Sequence, residues 1–190
     1  LVFWNPLSTA EQTRNNHTSS NLTARDNNRL IKELDVSWDR QAVAFIIQTP
    51  ADKKTLRETQ SLNNNSRELE TQIWVYWFQS EQWGQIDIEQ HNHSQFAHLS
   101  WAPGAAFISF VRMERQNNRN DWGIYIADPT VGSSRCVTDE GTVGAIPKWS
   151  FQGNWIVYAA RENPQSGKQL WAIKPDGTSK TSLTKPGILR

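Results

Sequence analysis

Three segments of this chain repeat one another, and an internal repeat constrains the fold more than any other sequence feature. Two of the segments carry Trp101 and Trp149. In each, the Trp is followed by a turn containing Gly and then by a β-rich run that closes on an aromatic residue. Phe110 and Tyr158 are those closing residues, at the same distance from their Trp. This spacing predicts two copies of one structural unit.

A third, earlier copy begins near Trp38 and continues into residues 42–47, which are all apolar. When it is aligned on its Trp, the closing aromatic, Phe45, arrives two residues early. The alignment therefore predicts a turn two residues shorter than in the other copies, and this turn lacks the Gly. We expect Trp38, Trp101 and Trp149 to open three equivalent units.

Each copy continues with two further apolar stretches separated by turn residues. Alternating apolar residues bounded by Gly, Asp and Asn are typical of antiparallel strands. The predicted third strands are residues 73–78, 122–126 and 170–173, and the predicted fourth strands are 84–88, 135–138 and 181–184. Four strands in a repeat of roughly 40 to 50 residues are characteristic of a β-propeller blade.

The predicted fold is therefore all-β, an incomplete or open propeller of four-stranded antiparallel blades. The segments are 35–90, an irregular blade with a long polar insertion at 49–70, followed by blades at 91–143 and 144–190. Residues 1–34 have two interpretations. They form a partial blade, with residues 29–34 as its closing strand, or residues 1–4 end a signal or membrane-anchor segment and 5–28 form a linker.

The last copy resembles the propeller repeats of the TolB family, which read Trp-Ser-Pro-Asp-Gly, an apolar strand, a strand ending in an Asp-Gly turn, and Leu-Thr. The matching residues are Trp149-Ser150, Gly153, Asp176-Gly177 and Leu183-Thr184. When each copy is aligned on its Trp, none keeps the Asp of the first turn. The resemblance implies a bacterial, periplasmic or otherwise extracytoplasmic binding platform. The same repeats form the non-catalytic propeller of prolyl-oligopeptidase-like enzymes.

Sequence motifs for catalysis and cofactor binding are missing, so we predict no catalytic residue, cofactor site or metal site. The chain has no Gly-x-Ser-x-Gly nucleophile elbow and no Gly-rich phosphate loop. The pair His91 and His93 could offer two imidazoles on one face, but no further ligands follow nearby. The formal net charge of +1 gives no electrostatic reason to expect nucleic acid as the main partner.

We therefore expect a non-enzymatic interaction module that binds other proteins, as a subunit or accessory factor of a larger, envelope-associated assembly. Two alternatives stay open: the propeller domain of a prolyl-oligopeptidase-like hydrolase, and a ligand- or glycan-binding propeller. No small-molecule substrate is predicted. The predicted interaction surface combines the long insertion, the Trp least tied to the repeat, which we expect to be exposed, and the His pair: Lys53, Lys54, Arg57, Trp83, His91 and His93.

Overall fold

The computed structural model describes residues 30–50, 69–86, 94–104, 106–116, 119–138, 146–161 and 166–185. These residues form strands and turns, with no helix among them. The first sheet contains β1 (Leu30–Val36), β2 (Ala42–Pro50), β3 (Leu69–Trp77) and β4 (Gln82–Ile86). The second contains β5 (Gln95–Trp101), β6 (Ile108–Gln116), β7 (Arg119–Ala127) and β8 (Ser134–Cys136). The third contains β9 (Lys148–Trp149), β10 (Ile156–Arg161), β11 (Lys168–Ile173) and β12 (Thr181–Ser182).

Each sheet is an antiparallel meander in which consecutive strands are neighbours. The predicted third and fourth strands each overlap the observed strand of the same order, although the predictions 73–78, 135–138 and 181–184 run one or two residues past the observed ends. Residues 87 and 88 of the prediction 84–88 lie outside the described residues. Strand β5 contacts the first three strands of the first sheet, and it also contacts β9 of the third sheet. The sheets are therefore stacked face against face in chain order, as the blades of a propeller are.

Two hydrophobic clusters fill the spaces between the sheets. The first lies between the first and second sheets and includes Ile46, Ile73 and Phe110. The second lies between the second and third sheets and includes Ile124 and Tyr158. Successive side chains of a strand point to opposite sides, so the strands of the middle sheet contribute residues to both clusters. The middle sheet is therefore covered on both faces.

A Trp indole joins each later sheet to the sheet before it. The Nε1 of Trp101 donates to the backbone oxygen of Asp35 at 2.9 Å, and the Nε1 of Trp149 donates to the backbone oxygen of Ser100 at 3.2 Å. Asp35 and Ser100 hold the same place in their sheets, since each is the last but one residue of a first strand. The repeated Trp is thus an inter-sheet contact.

The first interface carries a second set of hydrogen bonds, which run from backbone N–H groups of β5 to side-chain oxygens of the first sheet. The backbone N–H of Trp101 donates to Asp35 Oδ2 at 2.8 Å, and that of Leu99 donates to Glu33 Oε2 at 3.1 Å. That of Phe96 donates to Thr71 Oγ1 at 2.7 Å. This face of the first sheet therefore offers acceptors to the strand stacked on it.

The prediction that Trp38 opens the first unit is wrong, because the strand register gives that position to Val36. Val36 pairs with Val43 across the first two strands, just as Trp101 pairs with Ile108 in the second sheet. Trp38 lies two residues further on, in the turn. The alignment failed because the first unit has an aliphatic residue at the head position and a Trp close to it.

With Val36 at the head position, the first turn is the same length as the turn of the third sheet. The backbone N–H of Ser37 donates to Ala42 O at 2.9 Å, and that of Ser150 donates to Trp155 O at 2.8 Å. The predicted two-residue shortening was a consequence of the wrong head residue.

The absent Gly is replaced by Arg40, which adopts a φ of 58° where Gly153 has 72°. Left-handed backbone is ordinarily a Gly conformation. Residues 36–40 therefore follow the Trp-Ser-Pro-Asp-Gly pattern with Val, Trp and Arg as replacements. Asp39 stands at the Asp position, so the inference that no copy keeps this Asp is also wrong.

The interpretation of residues 29–34 as the closing strand of a preceding blade is corrected as well. Strand β1 pairs antiparallel with β2, which makes it the first strand of the first sheet. The insertion is shorter than predicted, because Thr49 pairs with Glu70 and Pro50 with Leu69 at the end of the β2–β3 ladder. The rest of the insertion and residues 1–29 lie outside the described residues.

Candidate functional site

The candidate site is the face of the first sheet on which no other described sheet is stacked. In β2, Ala42, Ala44 and Ile46 point toward the second sheet, so the alternate residues point the other way. The strand register adds to this face the residues that pair with them. We call it the first-blade face and define it by Leu34, Val36, Val43, Phe45, Ile47, Trp74, Tyr76 and Trp83.

Aromatic rings pack against one another across this face. The ring centroids of Tyr76 and Trp83 are 4.6 Å apart, and the Phe45 ring meets Trp83 edge-on at 5.8 Å. Phe78, just after β3, extends the group through a T-shaped contact with Tyr76 at 5.6 Å. Edge-to-face aromatic contacts of this kind hold rings in fixed orientations. The face is therefore a firm apolar surface.

Aliphatic residues of β1 complete the first-blade face and are open to solvent. Leu34 is 63% exposed and Val36 is 43% exposed. Phe45 and Ile47, in the next strand, are buried, so the part of the face that is open to solvent is its β1 edge. Exposed apolar side chains that lie side by side are typical of an interaction site.

The equivalent faces of the other two sheets are covered. Phe45 pairs with Trp74 as Phe110 pairs with Tyr125, and Phe110 is fully buried against the first sheet. Tyr158 takes the same place in the third sheet and is buried against the second. The first-blade face thus has the same kinds of residue as two faces that each have a sheet stacked on them.

Of the residues predicted from sequence, only one can be placed. Trp83 lies on the first-blade face and is half-buried, so the expectation that it is exposed is wrong. Its ring is covered by Phe45 and Tyr76. The other five predicted residues lie outside the described part of the chain: Lys53, Lys54, Arg57, His91 and His93.

Among the described Trp residues, the exposed one is Trp38, at 54%. It forms a T-shaped contact with Phe151, which is 81% exposed, with ring centroids 5.9 Å apart. Both residues directly follow the Ser of their turn, where the family repeat has Pro. Sequence reasoning missed this pair, since Trp38 was assigned to the head of the unit.

Two carboxyl groups in turns have pKa values below the ordinary value. The Ser37 hydroxyl and the backbone N–H of Gln41 donate to Asp39 Oδ1, at 2.6 and 3.0 Å, and these bonds lower the pKa of Asp39. The hydroxyl and backbone N–H of Thr178 lower the pKa of Asp176 in the same way. Both carboxylates stabilise a turn, which is the usual role of Asp there.

Other kinds of site are not found among the described residues. No group of three or more His, Cys, Asp and Glu side chains in them could hold a metal ion. No helix in the described segments is long and apolar enough to cross a bilayer. What the described surface offers chemically is apolar contact and exposed charge, and both serve binding.

The missed residues of the first-blade face had a sequence signal. Residues 42–47 and 73–78 are apolar at both odd and even positions, a pattern that is typical of strands buried on both faces. The structure buries one face against the second sheet and leaves the other half-covered. The pattern correctly indicated that both faces of these strands are apolar. It could not show that, among the described residues, only one of the two faces has another sheet stacked on it.

Comparisons with solved structures identify the architecture. The chain is similar to dipeptidyl peptidase 4 of Porphyromonas gingivalis, with a TM-score of 0.62, 10% identity, and coverage of 86% of this chain and 27% of that one. It is similar to the β-propeller domain of the Trilobed protease of Pyrococcus furiosus, with a TM-score of 0.58, 12% identity, and coverage of 85% and 45%. A prolyl endopeptidase matches with a TM-score of 0.57, 17% identity, and coverage of 87% and 23%.

No family model matches the chain, and no curated protein sequence does. The chain spans less than half of each of the three solved chains, and at these identities the likeness concerns the fold alone. Together with the three four-stranded sheets, it confirms the predicted all-β architecture: the chain forms part of a β-propeller.

Proposed function

We propose that this chain is a β-propeller module that binds another protein through the first-blade face, and that the bound element is a β-sheet stacked on it like a further blade. The observation that carries the proposal is that no described sheet is stacked on this face, whose edge residues Leu34 and Val36 are exposed. Its counterparts in the second and third sheets are each buried under a sheet. Aromatic and aliphatic side chains with little charge are also the composition of interface cores.

A stacked sheet suits this surface better than a single peptide strand. On the second sheet, the equivalent face is covered by residues from β2, β3 and β4 together. The first-blade face likewise extends over all four strands of its own sheet. An occupant of comparable width is needed to cover it.

The finer parts of the functional prediction rest on the repeat resemblance. These parts are a non-enzymatic role, a place in a bacterial envelope-associated assembly, and an extracytoplasmic location. They remain part of the proposal, and identifying the bound protein tests all three.

Site-specific photo-crosslinking tests the docking surface. A photo-reactive phenylalanine analogue replaces Leu34 in one variant and Val131 in a control, because Val131 is also exposed but lies in the β7–β8 turn. We expect position 34 to cross-link, in cells, to a β-sheet of one defined protein, and Leu34→Lys with Val36→Lys to abolish binding of that purified protein. Equal cross-linking from both positions, or none, would overturn the proposal.

A second candidate function is the propeller domain of a prolyl-oligopeptidase-like peptidase. It is favoured by the likeness to dipeptidyl peptidase 4, a prolyl endopeptidase and the Trilobed protease. The full coding sequence decides this alternative, because a peptidase must also encode a nucleophile and its base. The ligand- or glycan-binding hypothesis stays a prediction.

A further inference from the structure

The face of the third sheet on which no other described sheet is stacked is charged, unlike the first-blade face. In β10, Ile156 and Tyr158 point toward the second sheet, so Val157 and Ala159 point away. The register adds their partners in β9 and β11. We call it the third-blade face and define it by these residues together with Lys174, which directly follows β11: Lys148, Val157, Ala159, Arg161, Lys168, Leu170, Ala172 and Lys174.

Cations surround a small apolar centre on the third-blade face. Lys148, Arg161, Lys168 and Lys174 are all exposed, and the central residues are Val, Ala and Leu. The Lys174 ammonium lies over the Trp155 ring, 5.9 Å from its centroid. Among the described residues, no Asp or Glu is one of those that define this face, although Lys174 lies near Asp176, whose pKa its charge helps to lower.

The face that corresponds to it in the first sheet is the one that offers acceptors to β5. There, Asp35 and Thr71 accept backbone N–H groups of Trp101 and Phe96. Asp35 pairs with Ala44, and Lys148 pairs with Val157 in the same place of the third sheet. Lys148 therefore stands where the first sheet has Asp35.

The second acceptor is replaced in the same way. Thr71 pairs with Gln48 in the first sheet, and Lys168 pairs with Arg161 at that place in the third. A Lys ammonium has three donors and no acceptor. A strand that presents backbone N–H groups, as β5 does, would meet donors where it needs acceptors.

We propose that the third-blade face binds an acidic protein segment, whose carboxylates meet Lys148, Lys168 and Lys174 and whose apolar side chains cover Val157 and Ala159. This inference rests on the proposed function, since it names the chemistry of a partner for the same binding module. The first-blade face and the third-blade face would then bind different partners. The first-blade face would bind a neutral sheet, and the third-blade face would bind an acidic segment.

An acidic protein fits this face better than nucleic acid or an anionic membrane. Nucleic-acid binding is dominated by many phosphate contacts and by a strongly basic surface, whereas the whole chain carries a formal net charge of +1. The apolar side chains at the centre of the face would gain no favourable contact from a phosphate backbone. They can pack against the aliphatic side chains of a peptide.

The test measures binding of a fluorescent peptide of alternating Glu and Val residues by anisotropy. The peptide with Gln in place of Glu, single-stranded DNA of similar length, and phosphatidylserine vesicles are measured alongside it. We expect the Glu peptide to bind, the Gln peptide not to bind, and the affinity to fall as salt rises. Preference for the DNA or the vesicles over the Glu peptide would overturn the inference, as would equal binding of both peptides.

Two triple variants of equal net charge locate the site. Lys148→Gln, Lys168→Gln and Lys174→Gln together should weaken Glu-peptide binding roughly tenfold or more, since three opposite charges are lost. The control changes Lys32, Lys180 and Lys185 to Gln and should weaken it about threefold at most. Equal losses in the two variants would show a diffuse charge effect and contradict the assignment.

The Leu34→Lys variant separates this inference from the proposed function. It lies on the other free face and should leave Glu-peptide binding unchanged. If the cross-link from position 34 is obtained and the Glu peptide fails to bind, only the acidic-segment inference falls. If neither is obtained, the proposed binding function falls with it.

Discussion

The two interfaces between the three sheets share one hydrogen bond and differ in the rest. Both contain a Trp indole that donates to a backbone oxygen of the preceding sheet, Asp35 or Ser100. The first interface adds acceptor side chains for the backbone of β5. The second adds a contact between β8 and the β11–β12 turn, in which the Arg135 guanidinium donates to the Pro175 backbone oxygen. The Trp contact is therefore the same at both interfaces, whereas the other polar contacts differ between them.

The largest expected difference concerns the two Trp residues themselves. Trp101 is only 2% exposed, whereas Trp149 is half-buried. Trp101→Ala should lower the free energy of unfolding by about 3–5 kcal/mol because it leaves a cavity in the core. Trp149→Ala should lower it by about 1–2 kcal/mol, since less apolar area is removed from a buried site. Urea denaturation of both variants measures this, and equal losses would show that the two interfaces are energetically alike.

The acceptor side chains of the first interface give the next effect. Asp35→Ala removes the acceptor for the buried N–H of Trp101 and should cost about 1–3 kcal/mol. Ser100→Ala, at the equivalent place, should cost no more than about 0.5 kcal/mol, because the bond from Trp149 goes to the backbone oxygen. Asp35→Asn keeps a side-chain acceptor and should recover part of the loss. A Ser100→Ala cost as large as that of Asp35→Ala would contradict this assignment of roles.

The smallest expected effect on stability distinguishes the turn that follows β1 from the matching turn that follows β9. Since the pKa of Asp39 is lower in the folded than in the unfolded chain, its carboxylate stabilises the fold above the unfolded pKa, and this contribution disappears as the pH falls through the folded pKa. Asp39→Ala should therefore cost about 0.5 kcal/mol near neutral pH, after solvent screening, and less in acid. Gln152→Ala, the matched change in the third sheet, should show no such pH dependence in thermal unfolding.

Much of the architecture could be predicted from alternation and repeat spacing, because strands and turns are encoded locally. The position of Val36 could not, since a head residue is defined by its partner across the ladder and not by its own identity. The closing-strand interpretation of residues 29–34 failed for the same reason. An isolated apolar stretch does not specify the strand with which it pairs.

The candidate site was harder to predict than the fold. Trp83 was predicted as an interaction residue for its exposure, but it lies on the first-blade face with its ring packed against two other aromatic rings. Exposure depends on which neighbour is missing, and a sequence pattern does not record missing neighbours. The cations of the third-blade face were visible as residues, but their common side emerges only from the register of β9, β10 and β11.

The contact between Trp38 and Phe151 has a mechanical consequence. It joins the first sheet to the third without passing through the second, so the three sheets form a closed triangle of contacts. Flexing at either interface must change the distance between these two rings. Because Trp38 is largely exposed, its indole fluorescence should change when the two rings move apart. The pair therefore reports how strongly the three stacked sheets are curved.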